Sequence, residues 1–327
     1  MERRFCFLFI FTLLLTTSLL AQDNQKIWGN DRKAITVFTD ERYEFNASWL
    51  KLGKTNQDRI EKLIELLKKS STGQKIYSKA KANAIGHGHA LEELIIIGES
   101  SLTDTTLIRR YLSTDMTKVN YETRSLIHIN RSHNLQDAVL DLAHELTHYS
   151  FRSAFNPYLI NFNLKDFIKN TIEGRGGEVD AYLIECKVFK EIFSQNSWQS
   201  SNCARLVDDQ GQLSREKIMQ KFYQVGNHLS DFKKELGGYQ LQLNDFPQVT
   251  TEEAQYISSA YGVPYPLAAL REYASIMQKS CVNDYKRLSK NRELNGRRPA
   301  ALNEIDERQG QMVNEFHKRC ANYFSEI

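Results

Sequence analysis

From Asn134 to Tyr149 the chain repeats at helical spacing on two faces at once. Leu135, Ala138, Val139, Leu142, Leu146 and Tyr149 recur every three or four residues, the apolar stripe of a helix lying on a core. Beside them runs a polar stripe of Asp137, Asp141, His144 and His148. Asn134 suits the N-cap, and Asp137 three residues on suits a capping box. A solvated helix face usually carries Lys and Glu. A polar stripe ending in two histidines four apart sets two imidazoles on one face, where both can grip one metal ion. Glu145, one residue round from His144, is placed to handle a proton without ligating. This is what a metal-facing helix surface requires.

The rest of the pattern is mostly helical, with few Pro (5) and Gly (16) to interrupt it and no internal repeat. Asn56 reads as the N-cap of a helix to Lys69, carrying Ile60, Leu63, Ile64, Leu66 and Leu67 on its apolar side. Residues 70–73 break it and Gln74–Lys81 resumes it. Leu94–Ile97, Leu107–Leu112 and Ser125–Ile129 read as strands, the last bounded by a polar turn over 130–134. Gly174-Arg175-Gly176-Gly177 permits a sharp turn into a helix from Glu178 to Phe193. Two further helices, Pro266–Lys290 and Pro299–Phe324, flank a polar hinge over 291–298. The expected fold is α+β and mainly helical. A small antiparallel sheet packs on the histidine helix and on the helix that begins at Glu178, with extra helices at the C-terminus.

Arg3 and Arg4 precede an apolar run from Phe5 to Leu15, and small residues lead to Ala21. That is the layout of a secretory signal peptide over residues 1–21, too short in its apolar run for a bilayer span. The expected organisation is then an N-terminal segment over 22–55, a core over 56–250 and a C-terminal helical extension over 251–327. The signal carries two Arg and one Glu, so the formal charge of +3 becomes +2 without it, which favours neither nucleic acid nor an anionic membrane surface. Stable membrane insertion after cleavage is not expected. Of five cysteines, Cys6 leaves with the signal. The even number left, Cys186, Cys203, Cys281 and Cys320, favours two disulfides in an exported chain, periplasmic or extracellular. Cys186 with Cys203 closes a short loop, leaving Cys281 with Cys320. As a simple hairpin of the last two helices, that second pair stands well out of register at 1.5 Å per residue.

Two histidines do not complete a catalytic metal site, which takes a third protein ligand and an open position. No histidine follows His148 closely, so the third ligand is sought on a following helix. Glu178 fits as the first residue after the glycine turn, with Glu173 and Glu272 as rivals. At this point His144, Glu145, His148 and the segment Glu178-Val179-Asp180-Ala181-Tyr182 resemble the gluzincin metallopeptidases, especially their small minigluzincin core. The resemblance covers residues 56–193. The segment looks like the E-x-[DN]-x-[aromatic] form of the third-ligand helix, and departs from the E-x-x-x-D form because Tyr182 stands where the Asp would be.

The resemblance implies one Zn2+ per chain held by His144, His148 and Glu178, and Glu145 as general base in the hydrolysis of a peptide or protein substrate. It implies that the strand Ser125–Ile129 offers an edge to an extended substrate, and that a Tyr or His donates to the oxyanion. Tyr261, Tyr265 and Tyr273 are candidates that no spacing separates. A carboxylate behind a ligand histidine is also expected, with Asp180 and Asp141 both eligible; Tyr182 and Glu185 share the face of Glu178. The alternative reading is a non-catalytic exported binding protein that contains a metal.

Overall fold

The computed structural model describes residues 35–38, 41–111, 119–193, 195–295 and 303–323. The expected signal peptide, the start of the helix expected at Pro299 and its end at Phe324 lie outside them. The chain divides into two compact units, Met1–Ala47 and Ser48–Ile327. In the first, β1 (Ile35–Phe38) and β2 (Glu41–Glu44) form an antiparallel ribbon with Ile35 opposite Glu44. The second takes in residues 48–55 together with 56–250 and 251–327. It opens with a 3-10 turn, Trp49–Leu52, whose Trp49 is fully buried and donates its indole N–H to the carbonyl of Asn130 at 2.8 Å.

The second unit continues with α1 (Asn56–Leu67), α2 (Ser71–Gly86), α3 (Leu91–Leu94), β3 (Ile95–Gly98), β4 (Leu102–Tyr111) and β5 (Val119–Asn130). Next come α4 (Leu135–Phe151), α5 (Leu164–Glu173), α6 (Glu178–Ile192), α7 (Gln195–Ser200), α8 (Arg215–Phe222) and α9 (Leu229–Gly237), then the long α10 (Tyr265–Asn295) and α11 (Asn303–Cys320). The protein is α+β and mainly helical. Thr55 rather than Asn56 caps α1, its hydroxyl accepting from the N–H of Asp58 at 3.1 Å.

The sheet is mixed, not antiparallel. Its order is β3–β5–β4, with β3 parallel and β4 antiparallel to β5. The chain reverses direction after β3 and again after β4, so β3 and β5 point the same way. Because β5 inserts between the other two, its pair with β3 is parallel. β4 and β5 also begin earlier than the apolar pattern suggests. Their first halves, Leu102 to Thr106 and Val119 to Arg124, are mostly polar and pair through the backbone ladder, with side-chain bonds across the strands between Thr105 and Ser125 at 3.0 Å and from Arg110 to Glu122 at 2.9 Å.

α4 lies at the centre, against α1, α2, α6 and β5. Leu135, Ala138, Val139, Leu142 and Leu146 are buried as their spacing predicts, while Tyr149 is only half-buried. Asn134 accepts from the N–H of Asp137 at 2.8 Å, but the carboxylate of Asp137 turns to the side-chain amide of Asn134, so only half of a capping box forms. A second core joins α5, α6, α8, α9, α10 and α11 through Phe167, Ile168, Val179, Phe222, Phe232 and Leu267.

Both disulfides pair as expected, Cys186 with Cys203 and Cys281 with Cys320. The register offset shrinks because α10 runs on to Asn295. Cys281 stands 14 residues before the end of α10, and Cys320 stands 17 residues after the start of α11. A difference of three residues is about 4.5 Å of helix. No helix of the described residues is long and apolar enough to cross a membrane. Two disulfides fit an oxidising compartment.

Candidate metal centre

The packing of α4 on α6 sets the first residue of α6 against the polar stripe of α4. Nε2 of His144 lies 3.3 Å from Oε2 of Glu178, and Nε2 of His148 lies 3.5 Å from Oε1 of the same carboxylate. The rings stand nearly perpendicular, 4.7 Å apart. Four ligands placed tetrahedrally about 2.0–2.1 Å from a zinc ion lie about 3.3–3.4 Å from one another. The two nitrogen–oxygen separations fall near that spacing, and both also suit ion pairs. His144, Glu145 and His148 also bring ligand-type atoms within 4.8 Å of one another.

Each histidine is held from behind. The carbonyl of Gly176 accepts from Nδ1 of His148 at 2.8 Å, and a carbonyl can only accept, so Nδ1 carries a hydrogen and Nε2 is the nitrogen turned toward Glu178. Nδ1 of His144 lies 3.1 Å from Oε2 of Glu185. Gly176 takes φ +69°, and a Cβ there would fall 2.5 Å from the backbone nitrogen of Arg152. Only glycine fits this turn.

Charge is balanced within the cluster. Burial alone would lower the imidazole of His144, but Glu178, Glu185 and Glu145 together raise it well above the usual range. Burial would raise Glu178, but His148, His144 and Arg152 hold it well below. Arg152 donates to Oε1 of Glu178 at 3.0 Å and to the carbonyl of Thr171 at 3.1 Å. Burial pushes Glu145 up, against the opposing charges of the histidines. Its Oε2 accepts from the hydroxyl of Thr103 on β4 at 2.8 Å. A buried carboxylate with a raised pKa beside two metal-type nitrogens suits a base that takes up and returns a proton.

The cluster opens onto a groove of about 1180 Å³. Residues of β4 and β5 form one wall and a face of α10 forms the other. The strand before the histidine helix offers no free edge: β5 is central, and β4 is the edge strand whose Thr103 to Leu107 line the groove. Tyr265 projects from the start of α10. Burial, with the charges of Glu178, Glu145 and Glu185, pushes its phenol well above the usual range.

Four expectations about neighbouring residues change. Asp141 is bonded to Nε2 of His133 at 2.6 Å, not to a ligand histidine. Asp180 acts one step back, accepting from the N–H of Gly176 at 3.0 Å and from Arg215 at 3.1 Å, so it fixes the turn whose carbonyl holds His148. Tyr182 packs on Tyr256 and Phe222. Tyr273 packs on Phe162 and Phe167 with its hydroxyl toward the carbonyl of Phe162, so it does not reach the groove. The carboxylate behind His144 is Glu185, whose i+7 spacing from Glu178 was the available signal. Of the rival ligands, Glu173 accepts from Tyr223 at 2.9 Å, and Glu272 lines the groove without bonding to either histidine. Thr103 and Arg152 carry no sequence signal. No family model matches the chain, and neither a curated protein nor a solved structure matches it.

Proposed function

We propose that the chain is an exported zinc-dependent peptidase of gluzincin type, acting in the periplasm or outside the cell. One observation carries the reading: Nε2 of His144 and of His148 face the two oxygens of Glu178 at 3.3 and 3.5 Å, with buried Glu145 beside them on the floor of an open groove. His144, His148 and Glu178 would hold one zinc ion. When bound, the ion supplies Lewis acidity and brings the ionisation of water down to about pH 7. Glu145 takes the proton of the attacking water, steadied by Thr103, and delivers it to the leaving amine. The edge of β4 pairs with an extended substrate backbone. Tyr265 donates its phenolic hydrogen to the substrate carbonyl oxygen as charge develops there.

The test is Glu145→Ala, compared with the parent on a broad pool of unstructured peptides. The variant should keep about one zinc per chain by elemental analysis and lose nearly all cleavage. Full cleavage by the variant removes Glu145 as the base. Zinc bound by the parent with no cleavage of any peptide assigns the site to a binding protein instead.

A further inference from the structure

The groove wall opposite the sheet is one face of α10, running from Ala268 through Glu272 to Asn283. The fifteen steps along the helix from Ala268 to Asn283 rise about 22 Å. An extended peptide at about 3.3 Å per residue needs six or seven residues to span that length. Glu272 lies inside this run, half-buried, with groove-lining residues on both sides of it along the chain, Tyr261 before and Lys279 after. It is close enough to the metal centre to feel the charges of Arg152 and Glu178, and its charge reaches Tyr261 at the rim.

Among the described residues no hydrogen bond or ion pair reaches the Glu272 carboxylate. Arg152, whose charge reaches it, is already bonded to Glu178 and to the carbonyl of Thr171. Burial penalises the charged form of this carboxylate, and no hydrogen bond or ion pair among the described residues offsets that. A cation supplied by the ligand offsets it. The position selects which cation: the groove continues past Glu272 in both directions, so the group it meets belongs within an extended chain rather than at its free end.

We propose that Glu272 forms a subsite for a lysine or arginine side chain in the middle of a bound peptide, beside the bond to be cut. This rests on the peptidase reading, and makes the substrate a basic segment of an extended polypeptide.

The experiment measures binding of fluorescent seven-residue peptides to the zinc-loaded full chain in the cold, before cleavage accumulates, and then their cleavage. One peptide has a blocked N-terminus and a central lysine. The second replaces that lysine with norleucine, which keeps the length and removes the charge. A third has norleucine and a free N-terminal amine. The lysine peptide should bind about tenfold more tightly than either of the others. In Glu272→Gln that preference should vanish, and in Glu272→Lys it should pass to a central glutamate. Unchanged zinc content and thermal unfolding check that the variants are folded. Equal preference for lysine in parent and Glu272→Gln overturns the subsite, as does tightest binding of the free-amine peptide or no binding by any of the three. Cleavage of all three at one rate leaves the peptidase reading standing and removes the subsite. A Glu272-dependent lysine preference without cleavage does the reverse.

Discussion

Glu185 Oε2 lies 3.1 Å from Nδ1 of His144, while Glu178, seven residues earlier on the same helix, faces Nε2 of that ring at 3.3 Å. Two carboxylates two turns apart therefore address both nitrogens of one imidazole. The spacing follows from 3.6 residues per turn, which returns residue i+7 to the face of residue i. Glu178 meets the side of the ring that a metal would use. Glu185 fixes the ring's orientation and adds to its basicity from behind. Glu185→Gln keeps the shape and removes the charge. It should weaken zinc binding about 10- to 100-fold without unfolding the protein. Competition with a chelating dye measures this, and an unchanged affinity would show that Glu185 is only packed there.

His148 depends on a backbone atom rather than a side chain. Gly176 presents its carbonyl to Nδ1 at 2.8 Å from a left-handed conformation, φ +69°, with the Arg152 backbone nitrogen 2.5 Å from where a Cβ would sit. Gly176→Ala adds a methyl that has no room and a φ that L residues avoid. A loss of about 1–3 kcal/mol in unfolding free energy is expected from the strain, together with weaker zinc binding because the carbonyl must move. Gly211→Ala is the comparison. Gly211 also has positive φ, +74°, but its added Cβ meets nothing within 4 Å. It should cost less stability and leave zinc binding intact. Equal effects of the two on zinc would remove the Gly176 carbonyl from the site.

The histidine helix was legible because its chemistry is local. His144, Glu145 and His148 fall on adjacent faces of one helix, and no tertiary information is needed to see that they cooperate. Glu178 was legible from a glycine turn followed by a helix start. What joined them was not. Thr103 reaches Glu145 across the sheet, Arg152 reaches Glu178 from the residue after α4, and Tyr265 arrives from α10. Each is set by packing between segments far apart in sequence. Helix α5 went unread although its signal was present: Asn163 caps it by accepting from Asp166 N–H, and Leu164, Phe167, Ile168 and Ile172 keep helical spacing. The sheet was misread for a different reason. Which strand takes the middle is decided by pairing, and no strand's own pattern encodes its neighbours.

Zinc binding should strengthen as pH rises through the neutral range. Without metal, Glu178, Glu185 and Glu145 hold the His144 imidazole well above its ordinary value of 6.5, so the ion must displace a proton from it. The sign for folding runs the other way in the metal-free protein. A raised histidine contributes stability that is fully present below its unfolded value, and loses it as pH rises through the folded value. Glu178 is lowered, so its contribution is present above its unfolded value and is lost only as acid reaches the folded one. The gain in melting temperature on adding zinc should therefore grow from pH 6 to pH 9. Thermal scans with zinc and with a chelator give that difference directly. A gain that stays constant across the range would mean that no proton leaves on binding.

The start of α10 carries the remaining catalytic expectation. Tyr265 lines the groove, its ring packed edge-on to Phe222 at 4.8 Å, and burial together with the carboxylates around it keeps its phenol protonated. A neutral phenol beside the cluster gains most when negative charge develops on the substrate oxygen, and little before that. Tyr265→Phe should lower kcat about a hundredfold with KM nearly unchanged and zinc content intact. Tyr273→Phe is the matched comparison. Tyr273 lies eight residues along the same helix but buries its ring against Phe162 and Phe167, with its hydroxyl toward the Phe162 carbonyl. That variant should lose a little stability and keep kcat. Steady-state kinetics on one cleaved peptide, with thermal unfolding alongside, separates the two phenols. A full kcat in Tyr265→Phe would return the oxyanion to the donors of the metal centre itself.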